Sequence, residues 1–163
     1  MEESEYMDTT KVMDVIRVGQ IEIRFRLAAA QTGGNLTMFE FQVPARARVP
    51  VPHSHEGFDE TVYGLDGSLC WTIGGRKVNV GPGEVLFIPR GIVHQFENLG
   101  AESARQLSVI TPGLLGPGFF REMGDIINPG GPLDIHRVVA VMQRHGLRAA
   151  PPSSPAGTQQ PAG

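Results

Sequence analysis

With one cysteine, one tryptophan and two tyrosines in 163 residues, the chain is short of covalent staples and of large aromatics. Cys70 alone can form no internal disulfide, and in a strand-like run it reads as a small buried apolar residue, not a reactive thiol. No apolar run approaches the eighteen or so residues that a membrane helix needs. Concentrated positive charge is missing too. The formal net charge is −3, the pI is near 5.9 and the basic residues are scattered, which argues against nucleic acid or an anionic membrane as partner. Residues Met1 to Glu5 are acidic, with neither a basic nor an apolar region, so no secretory signal is expected there and a cytoplasmic protein is expected.

Turn chemistry is plentiful instead. The 21 glycines and 13 prolines are many for a helical protein, and they punctuate short runs of strand character. Residues 1–10 are polar and acidic and are expected to lie loosely on the surface. Val12 to Val18 and Gln20 to Leu27 are parted by Gly19, and the second alternates cleanly, with Ile21, Ile23, Phe25 and Leu27 on one face and Glu22, Arg24 and Arg26 on the other. Arg24, Arg26, Arg46 and Arg48 read as a solvated strand face that discourages edge pairing, not as an anion stripe. Strands follow over Asn35 to Val43, Thr61 to Tyr63, Ser68 to Ile73, Arg76 to Val80, Glu84 to Ile88, His94 to Asn98 and Arg105 to Ile110. Short strands at such spacing, with turns between, predict an all-β barrel or jelly roll over residues 11–112.

Beyond Thr111 the period changes. Phe119, Phe120, Met123, Ile126 and Ile127 fall at helical spacing, and a second helix is expected from an Asp134 cap through Val138, Val141 and Met142 to a stop at Gly146. Residues 113–148 therefore read as a helical extension that packs on the barrel or on a partner subunit. From residue 149 onward the chain is Pro, Ala, Ser, Gly, Thr and Gln, too poor in apolar residues to fold, and disorder is expected.

One constellation carries chemistry. His53 and His55 are two residues apart, so on an extended segment both rings share a face. Glu60 breaks that parity, and a bulge at Gly57 is the expected device for returning it to the inner face. His94 comes from a distant strand after the turn Pro89-Arg90-Gly91. Three imidazoles and a carboxylate buried together without a cation would be costly, so a metal site is expected at His53, His55, Glu60 and His94. The remaining histidines, His136 and His145, stand alone and read as ordinary surface or core residues. Glu56, Asp59 and Gln95 are near enough in sequence to accept the free ring N–H groups. Phe39, Phe41, Val62, Trp71, Phe87 and Phe96 are candidates for pocket walls, in an apolar site with no glycine-rich anion nest.

These residues resemble the two motifs of the cupin superfamily. The first, G-x5-H-x-H-x3,4-E-x6-G, is matched at His53, His55, Glu60 and Gly67, and the second, G-x5-P-x-G-x2-H-x3-N, at Gly83, Pro89, Gly91, His94 and Asn98. The opening glycine of the first motif is replaced by Ala47. The likeness runs from about Asn35 to Pro112, without an internal repeat. It implies a single antiparallel double-stranded β-helix followed by the two helices, and one divalent transition metal ion per chain: iron, manganese, nickel or cobalt, with zinc as a further option.

By resemblance, the small single-barrel shape is similar to the quercetin-dioxygenase-like members. That implies a dioxygenase acting on a small substrate that chelates through oxygen, with Glu60 serving both as ligand and as catalytic base. Another metal-dependent enzyme, an isomerase or decarboxylase, and a non-catalytic binding module are the alternatives. A homodimer is expected, through the open edge of the N-terminal strands with the C-terminal helices covering the partner.

Overall fold

The computed structural model describes residues 9–151, and of the expected tails 1–10 and 149–163 the parts 1–8 and 152–163 lie outside the described residues. The alternation of apolar and polar residues yields eleven strands among the described residues: β1 Asp14–Val18, β2 Ile21–Leu27, β3 Thr37–Val43, β4 His53–His55, β5 Asp59–Asp66, β6 Leu69–Ile73, β7 Arg76–Val80, β8 Val85–Ile88, β9 His94–Glu97, β10 Ala104–Thr111 and β11 Leu147–Ala149. Two helices, α1 Pro117–Ile127 and α2 Ile135–Arg144, separate β10 from β11. A 3-10 turn at Ala29–Gln31 links β2 to β3.

The strands form two antiparallel sheets. One has the order β1-β2-β3-β10-β5-β8 and the other β11-β4-β9-β6-β7, so that their inner faces enclose one core. Strand parity decides what enters it. On β3 the inward set is Thr37, Phe39, Phe41 and Val43, and on β2 it is Ile21, Ile23 and Phe25. Phe25 and Phe39 lie 5.0 Å apart, and both meet Phe120 of α1 at edge-on or tilted angles. The helices thus cover the chain's own barrel, α1 against β1 and α2 against β11. None of the helices among the described residues is long and apolar enough to cross a membrane.

The turn residues of the two motifs have separate tasks. Gly67 adopts φ +62°, and a Cβ there would come within 2.7 Å of the Ser103 carbonyl, so a side chain is excluded twice over. Asn98 donates to the carbonyls of Val43 and Glu102 and accepts from the Gly100 N–H, tying the strand after His94 to two neighbouring segments. Where the first motif lacks its glycine, Ala47 is buried and Arg46 takes the left-handed conformation instead, at φ 66°, with its guanidinium donating to the Leu99 carbonyl.

Three expectations are corrected. Glu60 does not return through a bulge at Gly57. The chain bends at residues 56–58 and crosses from one sheet to the other, so β4 and β5 face each other from opposite walls and parity along one strand no longer applies. Residues 147–149 are neither helical extension nor tail. They form β11, pairing Leu147 with His55, Arg148 with Ser54 and Ala149 with His53. Phe87 is 56% exposed, because Leu86 and Ile88 take the inward positions of β8.

The last of these strands matters to the site. On its other side β4 has only one paired position with β9, His53 opposite His94, so β11 supplies most of its ladder. Leu147 is 1% exposed, and Leu147→Ala should cost roughly 2–5 kcal/mol of stability, the range for buried leucine truncations. It should also weaken metal retention by loosening β4. Thermal melts read by circular dichroism, with metal content measured on the same samples, check this; an unchanged melt would show that β11 is dispensable.

Candidate metal centre

Three imidazoles converge where β4 meets β9. The ring centroids of His53 and His94 are 4.8 Å apart, those of His55 and His94 4.5 Å, and those of His53 and His55 5.3 Å. Their donor nitrogens lie within 4.8 Å of one another. Glu60 reaches in from β5 on the opposite sheet, with Oε2 3.6 Å from His94 Nε2 and 3.9 Å from His55 Nε2. Donors about 2.0–2.2 Å from a shared ion sit roughly 3–3.5 Å apart, so this carboxylate oxygen stands at the margin of such a set.

Backbone carbonyls, not the acidic neighbours, fix the tautomers. Nδ1 of His53 lies 3.0 Å from the Val51 carbonyl oxygen and Nδ1 of His94 lies 2.9 Å from that of Ile92. A carbonyl only accepts, so each Nδ1 carries the proton and each Nε2 keeps a bare lone pair. His55 is oriented by its stack on Phe58, 4.4 Å between centroids. Glu56 pairs with Arg148 and Asp59 with Arg90, which removes both from the role of histidine acceptor.

Two buried nitrogens, His55 Nδ1 and His94 Nε2, have no hydrogen-bond partner. Orphaned polar atoms in a core are costly, and a cation is the partner that the bare lone pair of His94 Nε2, on the side of Glu60, fits. Electrostatics point the same way. Burial first, then the charges of its neighbours His94 and His55, pushes His53 down to about 3, and burial likewise lowers His55 to about 4, only partly opposed by Glu60. Burial would raise the Glu60 carboxyl, but His94, the charge of His55 and the hydrogen bond from Ser108 together hold it below the ordinary carboxylate range. At neutral pH the cluster therefore presents neutral imidazoles at His53 and His55 beside an ionised carboxylate.

A cavity of about 480 Å³ opens from the cluster. Its deep wall includes Trp71, Phe39, Phe41 and Phe96, and its outer wall is built by the extension through Leu115, Phe119, Phe120, Met123 and Met142. Val62 is buried but does not line it. Trp71 is held by an Nε1–H bond to Gln106, which in turn donates to the Val80 carbonyl. Arg46 and Arg48 also border the mouth, whereas Arg24 is paired with Glu22, so the four arginines form no common stripe. His136 is exposed, and His145 is paired with Glu122.

Sequence reasoning missed Ser108. It is fully buried on β10, and its hydroxyl donates to Glu60 Oε1 at 2.7 Å. The signal lay in the alternation of β10, which places polar Gln106 and Ser108 at inward positions.

A two-sheet barrel enclosing a histidine cluster that can hold a metal defines the class, a double-stranded β-helix with a candidate metal centre. Comparison with known proteins agrees: residues 39–110 match the family described as "Cupin domain", so the barrel is a cupin domain. It is 34% identical over 102 residues to the quercetin 2,3-dioxygenase of Bacillus subtilis, a match covering 61% of this chain and 29% of that protein. The tetracenomycin polyketide synthase protein TcmJ of Streptomyces glaucescens is 37% identical over 60 residues, which cover 37% of this chain and 40% of the relative. The chain thus spans well under half the length of either. Among solved structures, the polyketide cyclase RemF from Streptomyces resistomycificus superposes with a TM-score of 0.54 at 26% identity, over 71% of this chain and 89% of that one.

Proposed function

We propose that this cupin-domain protein is a mononuclear divalent-metal dioxygenase whose substrate is a flat aromatic molecule that chelates through adjacent oxygens. The observation that carries the reading is the placement of bare imidazole nitrogens and one carboxylate at the deep end of an aromatic-walled cavity. His53, His55 and His94 would hold the ion through ring nitrogens, with Glu60 as the fourth ligand. A bound divalent ion supplies Lewis acidity, favouring the deprotonated form of a chelating hydroxyl and stabilising the enolate. The protein's own part is to position and to exclude water. Phe39, Phe41, Phe96 and Trp71 stack against a ring system, Met123 and Met142 close over it, and Glu60 accepts the hydroxyl proton. Dioxygen is the co-substrate.

The likeness to quercetin 2,3-dioxygenase supports this reading. A second reading, ring closure of a polyketide without dioxygen, is favoured by the likeness to RemF over most of that protein's length. Both use an enolate of a chelating substrate, so one assay separates them. Protein loaded anaerobically with iron, manganese, nickel or cobalt is offered flavonols, diketones and catechols while oxygen is recorded. Oxygen consumption matching substrate loss is expected. Substrate loss without oxygen uptake would replace the dioxygenase by the second reading, and binding without turnover under every metal would leave a ligand-binding module.

The proposed assembly is a homodimer. β1 is an edge strand whose Val15 is exposed, preceded by exposed Val12 and Met13, an arrangement suited to pairing across a two-fold axis. Because α1 and α2 cover their own barrel, the edge and not the helices would form the contact. Light scattering should give twice the 17.6 kDa chain mass, and a value near 17.6 kDa would refute it.

A further inference from the structure

Ser108 is hard to account for as packing. It sits on β10 opposite Phe39 on one side and Val62 on the other, both buried apolar residues. A small apolar side chain would satisfy that position, whereas a hydroxyl there must be hydrogen-bonded to avoid a desolvation penalty. Its hydroxyl has one partner among the described residues, Glu60 Oε1. Register makes this contact local and fixed. Ser108 opposes Val62, so Glu60, two residues before Val62 on the same inward face, is its diagonal neighbour. A hydroxyl donating to an ionised carboxylate is among the stronger neutral-to-charged bonds.

The consequence concerns the other oxygen. With Oε1 held by β10, only Oε2 faces the imidazoles, at 3.6 Å from His94 Nε2 and 3.9 Å from His55 Nε2. We infer that Ser108 is a positioning residue that limits Glu60 to a single oxygen at the metal, keeping two coordination positions open for a substrate that chelates through two oxygens. This rests on the metal-site reading given above. No bond is made or broken in the step; the hydroxyl proton stays on Ser108 and the carboxylate pivots about its anchored oxygen. Without the anchor, both oxygens are free to bind, and the position so filled is lost to substrate.

The test compares wild type with S108A and S108T, each loaded with cobalt(II), the probe ion, and titrated with unsubstituted flavonol as the chelating probe. S108A removes the donor and leaves a smaller side chain, so it should fold; melts of the metal-free proteins confirm it. The expected result is one cobalt per chain in both proteins, an altered visible spectrum in S108A as a second carboxylate oxygen takes the place of water, and flavonol binding weakened roughly tenfold, the low end of what outer-sphere partners of metal ligands contribute. S108T, which keeps the hydroxyl, should restore the spectrum and flavonol affinity if it folds; S108A against wild type decides the matter if it does not. A merely structural role would lower the melt and leave the cobalt spectrum unchanged. Identical spectra and flavonol affinities in wild type and S108A would overturn the inference while leaving the metal site standing, whereas wild type that takes up no cobalt would overturn both.

Discussion

His94→Ala is expected to yield folded protein that has lost its metal. His94 is the member of the cluster contributed by β9, and its Nε2 is both buried and without a hydrogen-bond partner. Removing it leaves His53 and His55 on a three-residue strand with Glu60 across the barrel. Disturbing groups that merely orient a metal ligand costs about 10–100-fold in affinity or activity. Loss of a ligand itself should cost at least about 100-fold. The fold should survive, since truncation opens a small void in a wall that already borders a cavity and takes away an orphaned polar atom together with its desolvation cost. Elemental analysis beside far-ultraviolet circular dichroism checks both halves. Equal metal in wild type and variant, with the same spectrum, would mean that the ion is held elsewhere.

The histidines could be read from the sequence because spacing two apart is a property of any strand, whatever its surroundings. So could the turns, since Gly67 and Gly91 supply the positive φ that other residues avoid and Pro89 fixes its own φ. The inward sets of β2 and β3 follow from alternation alone. What brings Glu60 to the histidines is not local: its position depends on a crossing between sheets, and no local pattern distinguishes a bend that changes sheet from a bulge that stays within one. β11 was illegible for a related cause. Three residues are too few to show a period, and their strand state comes from the free edge of β4, a partner more than ninety positions away. Phe87 shows the limit of hydrophobicity as a guide to burial, since one residue's difference in register turned a proposed pocket wall outward. The histidine acceptors were illegible because carbonyls carry no side-chain identity, and every residue offers one.

Glu60→Gln should depress turnover far more than metal content. Glutamine preserves shape, and its amide oxygen can accept from Ser108 as Oε1 of Glu60 does. The group then facing the imidazoles is an NH2, which donates to bare nitrogens and offers the ion nothing. The alternative flip presents the amide oxygen to the ion and leaves Ser108 facing a donor. Either way one ligand is weakened while three imidazoles remain, so metal affinity should fall by roughly tenfold, at the low end of the range for perturbed sites. The proton is another matter. A carboxylate held below its ordinary pKa is ionised at neutral pH and can take a proton from a chelating hydroxyl, whereas an amide cannot. General-base assistance is worth typically 10²–10⁴-fold, so kcat at saturating metal should drop by about that factor, and the loss should shrink as pH rises toward the pKa of the substrate hydroxyl, where the substrate arrives already deprotonated. Stopped-flow oxygen consumption at saturating metal, repeated across pH, reads this directly. Turnover at the full wild-type rate would remove the base role and leave Glu60 as a ligand alone, and a rate loss matched by an equal loss of metal would do the same.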